Sequence, residues 1–476
     1  MTESKDTIKN ARSMMYGLDA KVQYGSGKMA PMVNLDNAAT TPPFKAVVKE
    51  IHEQLLLYGS IGRSVGQKSK HSSIVYTEGR DAILNFLGAN KDKYTVFYAH
   101  STTDGINKLA SALINTRDKF GYPRHENILI VSTRMEHHSN DLPWRERVCI
   151  TYADDFPWHE RTGIVYADVN PENGRLILED FERLLNKEEY SGMVKYVTVT
   201  AASNVTGYIN DVHAIARIAH KCGAKIIVDG TQIVAHREFS MLGRSKEEDI
   251  DFFVFSAHKM YSPYGGGAVV GLKDVLNDRM PKYYGGGMVL TVNDNSVIYA
   301  DEPDLYEAGS PNVPGIIGML KAIEMLTNIG FDNIKRHERL LLGRAIEGLS
   351  KIKGVTLYGD NRNIEDRVGI LLFNLDGISP ENTAKELAQR SGIAVRHGAF
   401  CAHPYVRRLM QKAEGDSDVS CERSGGMVRV SFGIYNTEDD VDLLIRTVKE
   451  IMEAFPVSSE VVALMREEVN LPNDRG

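Results

Sequence analysis

Residues 252–267 read FFVFSAHKMYSPYGGG. An apolar, β-prone run, Phe252–Ser256, stops at Ala257, His258 and Lys259, and three consecutive glycines, Gly265 to Gly267, follow. A run this short, bounded by polar and turn residues, reads as a strand buried on both faces. Upstream, Lys225–Asp229 (KIIVD) has the same texture, as do residues 194–201 (VKYVTVTA), 128–132 (ILIVS) and 95–99 (TVFYA). Helical stretches lie between them. Ile106, Leu109, Ala110 and Leu113 share one face after the 95–99 run, and a second helix opens at Asn210 or Asp211 and closes at Gly223. Strands alternating with helices predict an α/β fold with a mostly parallel sheet covered on both faces.

Past about residue 305 the texture changes. A long helical region over 316–349 leads to strands near 368–375 and 428–432, then a final helix over 437–454. This predicts a smaller α+β domain. The expected organisation is an N-terminal arm (1–32) packed on the small domain, a large domain (33–305), a small domain (306–456) and a tail (457–476). Residues 413–426 (AEGDSDVSCERSGG) are polar, without apolar periodicity, and read as a loop carrying Cys421.

Composition narrows the class. The chain has 476 residues, 42% of them hydrophobic and 25% charged, the texture of a globular protein. A net charge of −7 argues against a broad nucleic-acid surface. The first twenty residues carry acids and lack an apolar segment, so no secretory signal is expected, and no apolar run reaches the roughly 20 residues of a membrane span. Cys149, Cys222, Cys401 and Cys421 show no paired spacing, which favours reduced thiols in the cytoplasm. No metal, nucleic-acid or membrane partner is expected.

The chemistry gathers where strands end, since open α/β sheets bind ligands outside the carboxyl ends of their strands. Ser101, Thr102 and Thr103 precede a helix and could cradle a phosphate, although simple N-capping is the plainer explanation when they are taken alone. Asp229 could hold a ring nitrogen protonated or cap the next turn, with Gln232 close behind. His137, after Glu136, could stack on a flat ring or shuttle a proton; its plainer role is structural. Lys259, flanked by Ser256 and His258, sits where a lysine could lose its proton and act as nucleophile or base. Cys401 has Arg396, His397 and His403 nearby, surroundings that favour a thiolate if they also meet in space. Arg396 and Arg429 suit a carboxylate, or a surface ion pair.

Taken together, ten ordered segments resemble the class V aminotransferases, fold-type I enzymes that use pyridoxal 5′-phosphate. They are NLDNAATT (34–41), STTDGIN (101–107), EHHSNDLPW (136–144), ASNVTGYIND (202–211), IIVDGTQ (226–232), SAHKMYSPYGGG (256–267), GGGMV (285–289), EAGSPN (307–312), VRHGAFCAHP (395–404) and VRVSFGIYNTEDDVD (428–442). Within that family the chain is most similar to Suf-type cysteine desulfurases, a group that includes selenocysteine lyases. The resemblance implies a seven-stranded-type large domain and a homodimer. It makes Lys259 the residue that carries the cofactor covalently, with Asp229 on its ring nitrogen, Gln232 on its phenolic oxygen and His137 stacked on the ring. Thr102, Thr103, Ser256 and His258 would hold the phosphate, completed by Ser310 across the dimer. Arg396 would bind the α-carboxylate of L-cysteine, with Asn204 nearby and Arg429 as helper. Lys259 would remove the Cα proton, and Cys401 would take the sulfur as a persulfide, leaving alanine, before a protein or small-thiol acceptor removes it.

Two features depart from the family. The Suf-type pattern R-x-G-H-H-C-A here has Ala399 and Phe400 in place of the histidine pair, with His397 and His403 as candidates to compensate. Arg429 follows Cys401 at a greater distance than the family leads one to expect, and the added residues carry Cys421, either a surface insertion or a sulfur relay. Residues 152–165, with Trp158 and His159, are also unmatched. Other readings on the same scaffold are a selenocysteine lyase, a sulfide-releasing cysteine lyase or an aminotransferase. A non-catalytic scaffold would have lost the cofactor positions, which survive.

Overall fold

Seven strands, nearly all of them buried along their length, form the central sheet. A computed structural model describes residues 8, 10–25, 27–62, 65–114, 128–149, 163–281, 283–414 and 425–455. The Cys421 loop, most of residues 152–165 and the tail 457–476 lie outside the described residues. The strands stand in the order Tyr94–Ala99, Gly267–Leu272, Phe252–Ser256, Lys225–Asp229, Val194–Thr200, Leu129–Thr133, Gly163–Ala167. Gly267–Leu272 alone runs antiparallel to its neighbours; the other pairings are parallel. The predicted strands therefore hold to within a residue or so. Their apolar runs are continuous because helices cover both faces, leaving no solvent side to demand a polar alternation.

Thr102–Leu113 buries Ile106, Leu109, Ala110 and Leu113 beneath one face. Val212–Lys221 is capped by Asp211, whose side chain accepts from Ala214 N, and Gly223 at φ +74° follows its end. The long helical region is two helices, Val313–Ile329 and Phe331–Ser350, parted by Gly330 at φ +82°. A side chain at that angle is strained, so glycine places the break. Val313–Ile329 packs on Lys45–Leu55 and Gln67–Phe86, and its Met319, Ala322 and Leu326 share the core of the large sheet.

The second sheet is antiparallel, in the order Val355–Tyr358, Ile370–Leu375, Met427–Ser431, Arg396–Gly398. Phe331–Ser350, Pro380–Ser391 and Glu438–Ala454 cover it around Leu341, Phe373, Val430 and Leu444. The N-terminal segment ties the two units together: Val33–Asn34 pairs in parallel with Ile393–Ala394, and Asp36 bridges to Ser431. A hairpin, Val289–Asn293 with Ser296–Tyr299, leaves Leu290, Val292 and Ile298 exposed. Among the described residues no helix is long and apolar enough to cross a membrane.

Candidate active site

The parallel strands open at their carboxyl ends into a cavity of about 300 Å³. Lys259 enters it from the single turn Ala257–Lys259 that follows Phe252–Ser256. The chain returns through the glycine run because Gly266, at φ +158°, leaves no room for a side chain: a Cβ there would lie 2.8 Å from Gly315 O. Enclosure in the cavity, with the Arg429 charge nearby, lowers the Lys259 ammonium to about 8. In cofactor-free protein, covalent capture of an aldehyde, trapped by borohydride, should follow the neutral amine. Labelling is expected to rise with pH and level off just above 8, well below the roughly 10.4 of an exposed lysine. Labelling that still climbed beyond pH 10 would contradict this placement.

Asp229 ends its strand with a buried carboxylate. Thr231 donates to Asp229 Oδ1 from both its backbone N, at 2.9 Å, and its hydroxyl, at 2.5 Å. Burial pushes this carboxyl up, while Thr231 and Lys259 oppose the rise. Thr102 Oγ1 lies 2.6 Å from Thr231 Oγ1 and 3.3 Å from Ser256 Oγ. Thr103 Oγ1 shares a hydrogen bond with Ser139 Oγ at 2.7 Å. With His258 these hydroxyls line one end of the cavity.

His137 is oriented from behind. Ser139 N donates to His137 Nδ1 at 3.1 Å, which puts the proton of a neutral ring on Nε2. Burial and the Lys259 charge lower His137 to about 3 and His258 to about 4, so both rings are neutral near pH 7. Beneath them Glu136 accepts from Thr133 Oγ1 and Asn140 Nδ2, each at 2.6 Å, and from Thr200 N at 3.0 Å. This buried carboxyl group fastens the turn carrying His137 to the neighbouring strand, and burial raises it to about 8.

The small sheet supplies the opposite wall. Phe400 and Cys401 both take left-handed backbone, at φ 53° and 55°, a conformation that costs a non-glycine residue. The turn is held from the large unit: Asn204 Nδ2 donates to Phe400 O at 2.8 Å and His138 N donates to Cys401 O at 2.7 Å. Cys401 is exposed and lines the cavity that also holds Lys259. Of the two histidines suggested as compensating, His403 pairs with His138, Nδ1 to Nε2 at 3.0 Å with stacked rings, while His397 is exposed on its strand. Arg429, 3% exposed, donates to Asn204 O at 2.8 Å and lies over the Phe400 ring. Asp36 pairs with both Arg396 and Arg429.

The cavity thus gathers Thr102, Thr103, His137, Asn204, Asp229, Gln232, Ser256, His258, Lys259, Arg396, Cys401 and Arg429. Ser310 lies exposed and outside it. Sequence reasoning passed over Thr231, Ser139 and Asp36. All three sat inside quoted segments, IIVDGTQ, EHHSNDLPW and NLDNAATT, a signal that could have found them.

A family model for class-V aminotransferases matches residues 33–444. The chain is 33% identical over 427 residues to a probable cysteine desulfurase of Halalkalibacterium halodurans, covering 90% of this chain and 94% of the relative. It is 31% identical to a cysteine desulfurase of Haloferax volcanii, covering 89% and 90%. Among solved structures, the apo cysteine desulfurase of Thermococcus onnurineus superposes with a TM-score of 0.76 at 28% identity, covering 89% of this chain and 95% of that one. The S-sulfonic acid form of the Escherichia coli cysteine desulfurase CsdA gives 0.75 at 26%, covering 94% and 99%.

Proposed function

This chain belongs to the class-V aminotransferase family, and on that footing we propose that it is a pyridoxal-phosphate-dependent cysteine desulfurase, converting L-cysteine to L-alanine and an enzyme persulfide on Cys401. The observation that carries the reading is a single cavity lined by both Lys259 and Cys401, the base and the nucleophile this reaction needs.

The residues present fit the cofactor. Gln232 Oε1 is a buried polar atom without a partner among the described residues, while its Nε2 donates to Ala38 O at 2.9 Å and keeps a second hydrogen. Asp229 would face the ring nitrogen, His137 the ring, and Thr102, Thr103, Ser256 and His258 the phosphate. Bound there, pyridoxal phosphate supplies an electron sink for the charge left when the substrate Cα proton departs. Arg396 binds the substrate carboxylate with its open fork and so fixes the direction of Cα. Lys259 Nζ, its lowered pKa leaving a useful fraction neutral near pH 7, takes the proton. Cys401 Sγ attacks the substrate sulfur as a thiolate; the Cβ–S bond breaks with its electron pair passing to the carbon skeleton, which takes up protons to leave alanine, and Cys401 keeps the sulfur as a persulfide until an acceptor thiol removes it.

A homodimer is part of the reading. Leu290, Val292, Ile298, Tyr283 and Tyr284 are exposed apolar residues of the kind subunits cover, and Ser310 is open to a neighbour. The unpaired cysteine spacing supports a cytoplasmic setting. Product analysis of cofactor-loaded protein with L-cysteine tests the activity. Alanine formed in step with sulfide released by a reductant supports it; pyruvate in place of alanine identifies a lyase and overturns it.

A further inference from the structure

The register of the small sheet sets Arg396 directly opposite Arg429. Like charges facing each other across strands destabilise the pairing. Asp36 answers both: its Oδ2 lies 3.0 Å from Arg396 Nη2 and its Oδ1 3.1 Å from Arg429 Nη2. The aspartate is itself fixed, by a backbone bridge to Ser431 and by a hydrogen bond from its N to Asn34 Oδ1 at 3.1 Å. Two guanidiniums and one carboxylate leave one positive charge. Its distribution is uneven. Arg429 is buried and holds Asn204 O, whereas Arg396 is half exposed, lines the cavity, and has Asp36 as its one acceptor among the described residues.

We propose that Asp36 is a specificity-determining residue: it occupies the place a second anion would take between the two arginines and so restricts this subsite to a ligand with one carboxylate. The proposal rests on the reading of Arg396 as the residue that takes the substrate carboxylate. Removing the Asp36 charge leaves two adjacent guanidiniums, a site for a short dicarboxylate. Lengthening the ligand alone does not, since the second carboxylate meets Asp36.

Propionate and malonate are the probes, titrated calorimetrically into the cofactor-loaded protein and tested as competitors of L-cysteine. Wild type is expected to hold malonate no more tightly than propionate. Asp36→Asn, close in shape and without the charge, should shift the ratio towards malonate by about tenfold. A wild type that already prefers malonate tenfold overturns the proposal, and so does a folded Asp36→Asn protein with an unchanged ratio. Should the variant fail to fold, as a melting curve would show, the wild-type ratio still decides. If neither acid binds or competes, the carboxylate subsite itself is wrong and the proposal falls with it. Failure of the desulfurase reading shows separately, as absence of alanine from L-cysteine.

Discussion

Exchanging Cys401 for serine is expected to cut L-alanine formation from L-cysteine by at least about a thousandfold while the protein still folds and holds its cofactor. A hydroxyl matches the thiol closely in size but does not ionise near neutral pH, whereas a free thiol has a pKa near 8.5 and reaches the thiolate readily. Cys401 is exposed and its turn is held through backbone oxygens, so the exchange removes no packing and no anchor. The melting temperature should stay within the small range of surface substitutions, about 0.5 kcal/mol in stability. Amino-acid analysis of the reaction, beside the visible spectrum of the loaded protein, checks this. Alanine at the wild-type rate would remove Cys401 from the mechanism.

Lys259→Ala is expected to abolish borohydride-trapped attachment of the cofactor and to lower turnover by between about a hundredfold and ten-thousandfold, the range for loss of a positioned acid–base group. It should not destabilise the cofactor-free fold. Lys259 has a folded pKa of about 8, below the unfolded value near 10.4. Enclosing its charge therefore opposes folding fully below pH 8, and the opposition fades as pH rises through 10.4. The variant should melt at or above the wild-type temperature at pH 7, with the gap closing in alkaline buffer. A marked drop at pH 7 would show that Lys259 is a structural residue.

The large unit was legible because each of its chemical groups follows an apolar run. Lys259, Asp229 and His137 could be located from local texture, since the parallel topology brings strand ends together without further instruction. Asp36 follows no such run, although it lies inside the quoted NLDNAATT. Its partners Arg396 and Arg429 lie hundreds of residues away in sequence, and the pairing of Val33–Asn34 with Ile393–Ala394, followed by the bridge from Asp36 to Ser431, brings them together. The strand Arg396–Gly398 was equally hidden, because three residues reading RHG carry no apolar alternation. The 316–349 region merged two helices because both sides of Gly330 are apolar at helical spacing, and the break comes from that glycine's backbone angle.

The left-handed turn at Phe400 and Cys401 bears on how sulfur can leave. Chain from the small sheet places the thiol, yet its carbonyls are fastened to the large unit by Asn204 and His138, and a helix, His403–Glu414, starts two residues later. The thiol is therefore a stationary mooring and not the tip of a swinging arm. On the proposed reading, an acceptor of the sulfur then has to come to that one exposed point, so its own reach decides which acceptors are served.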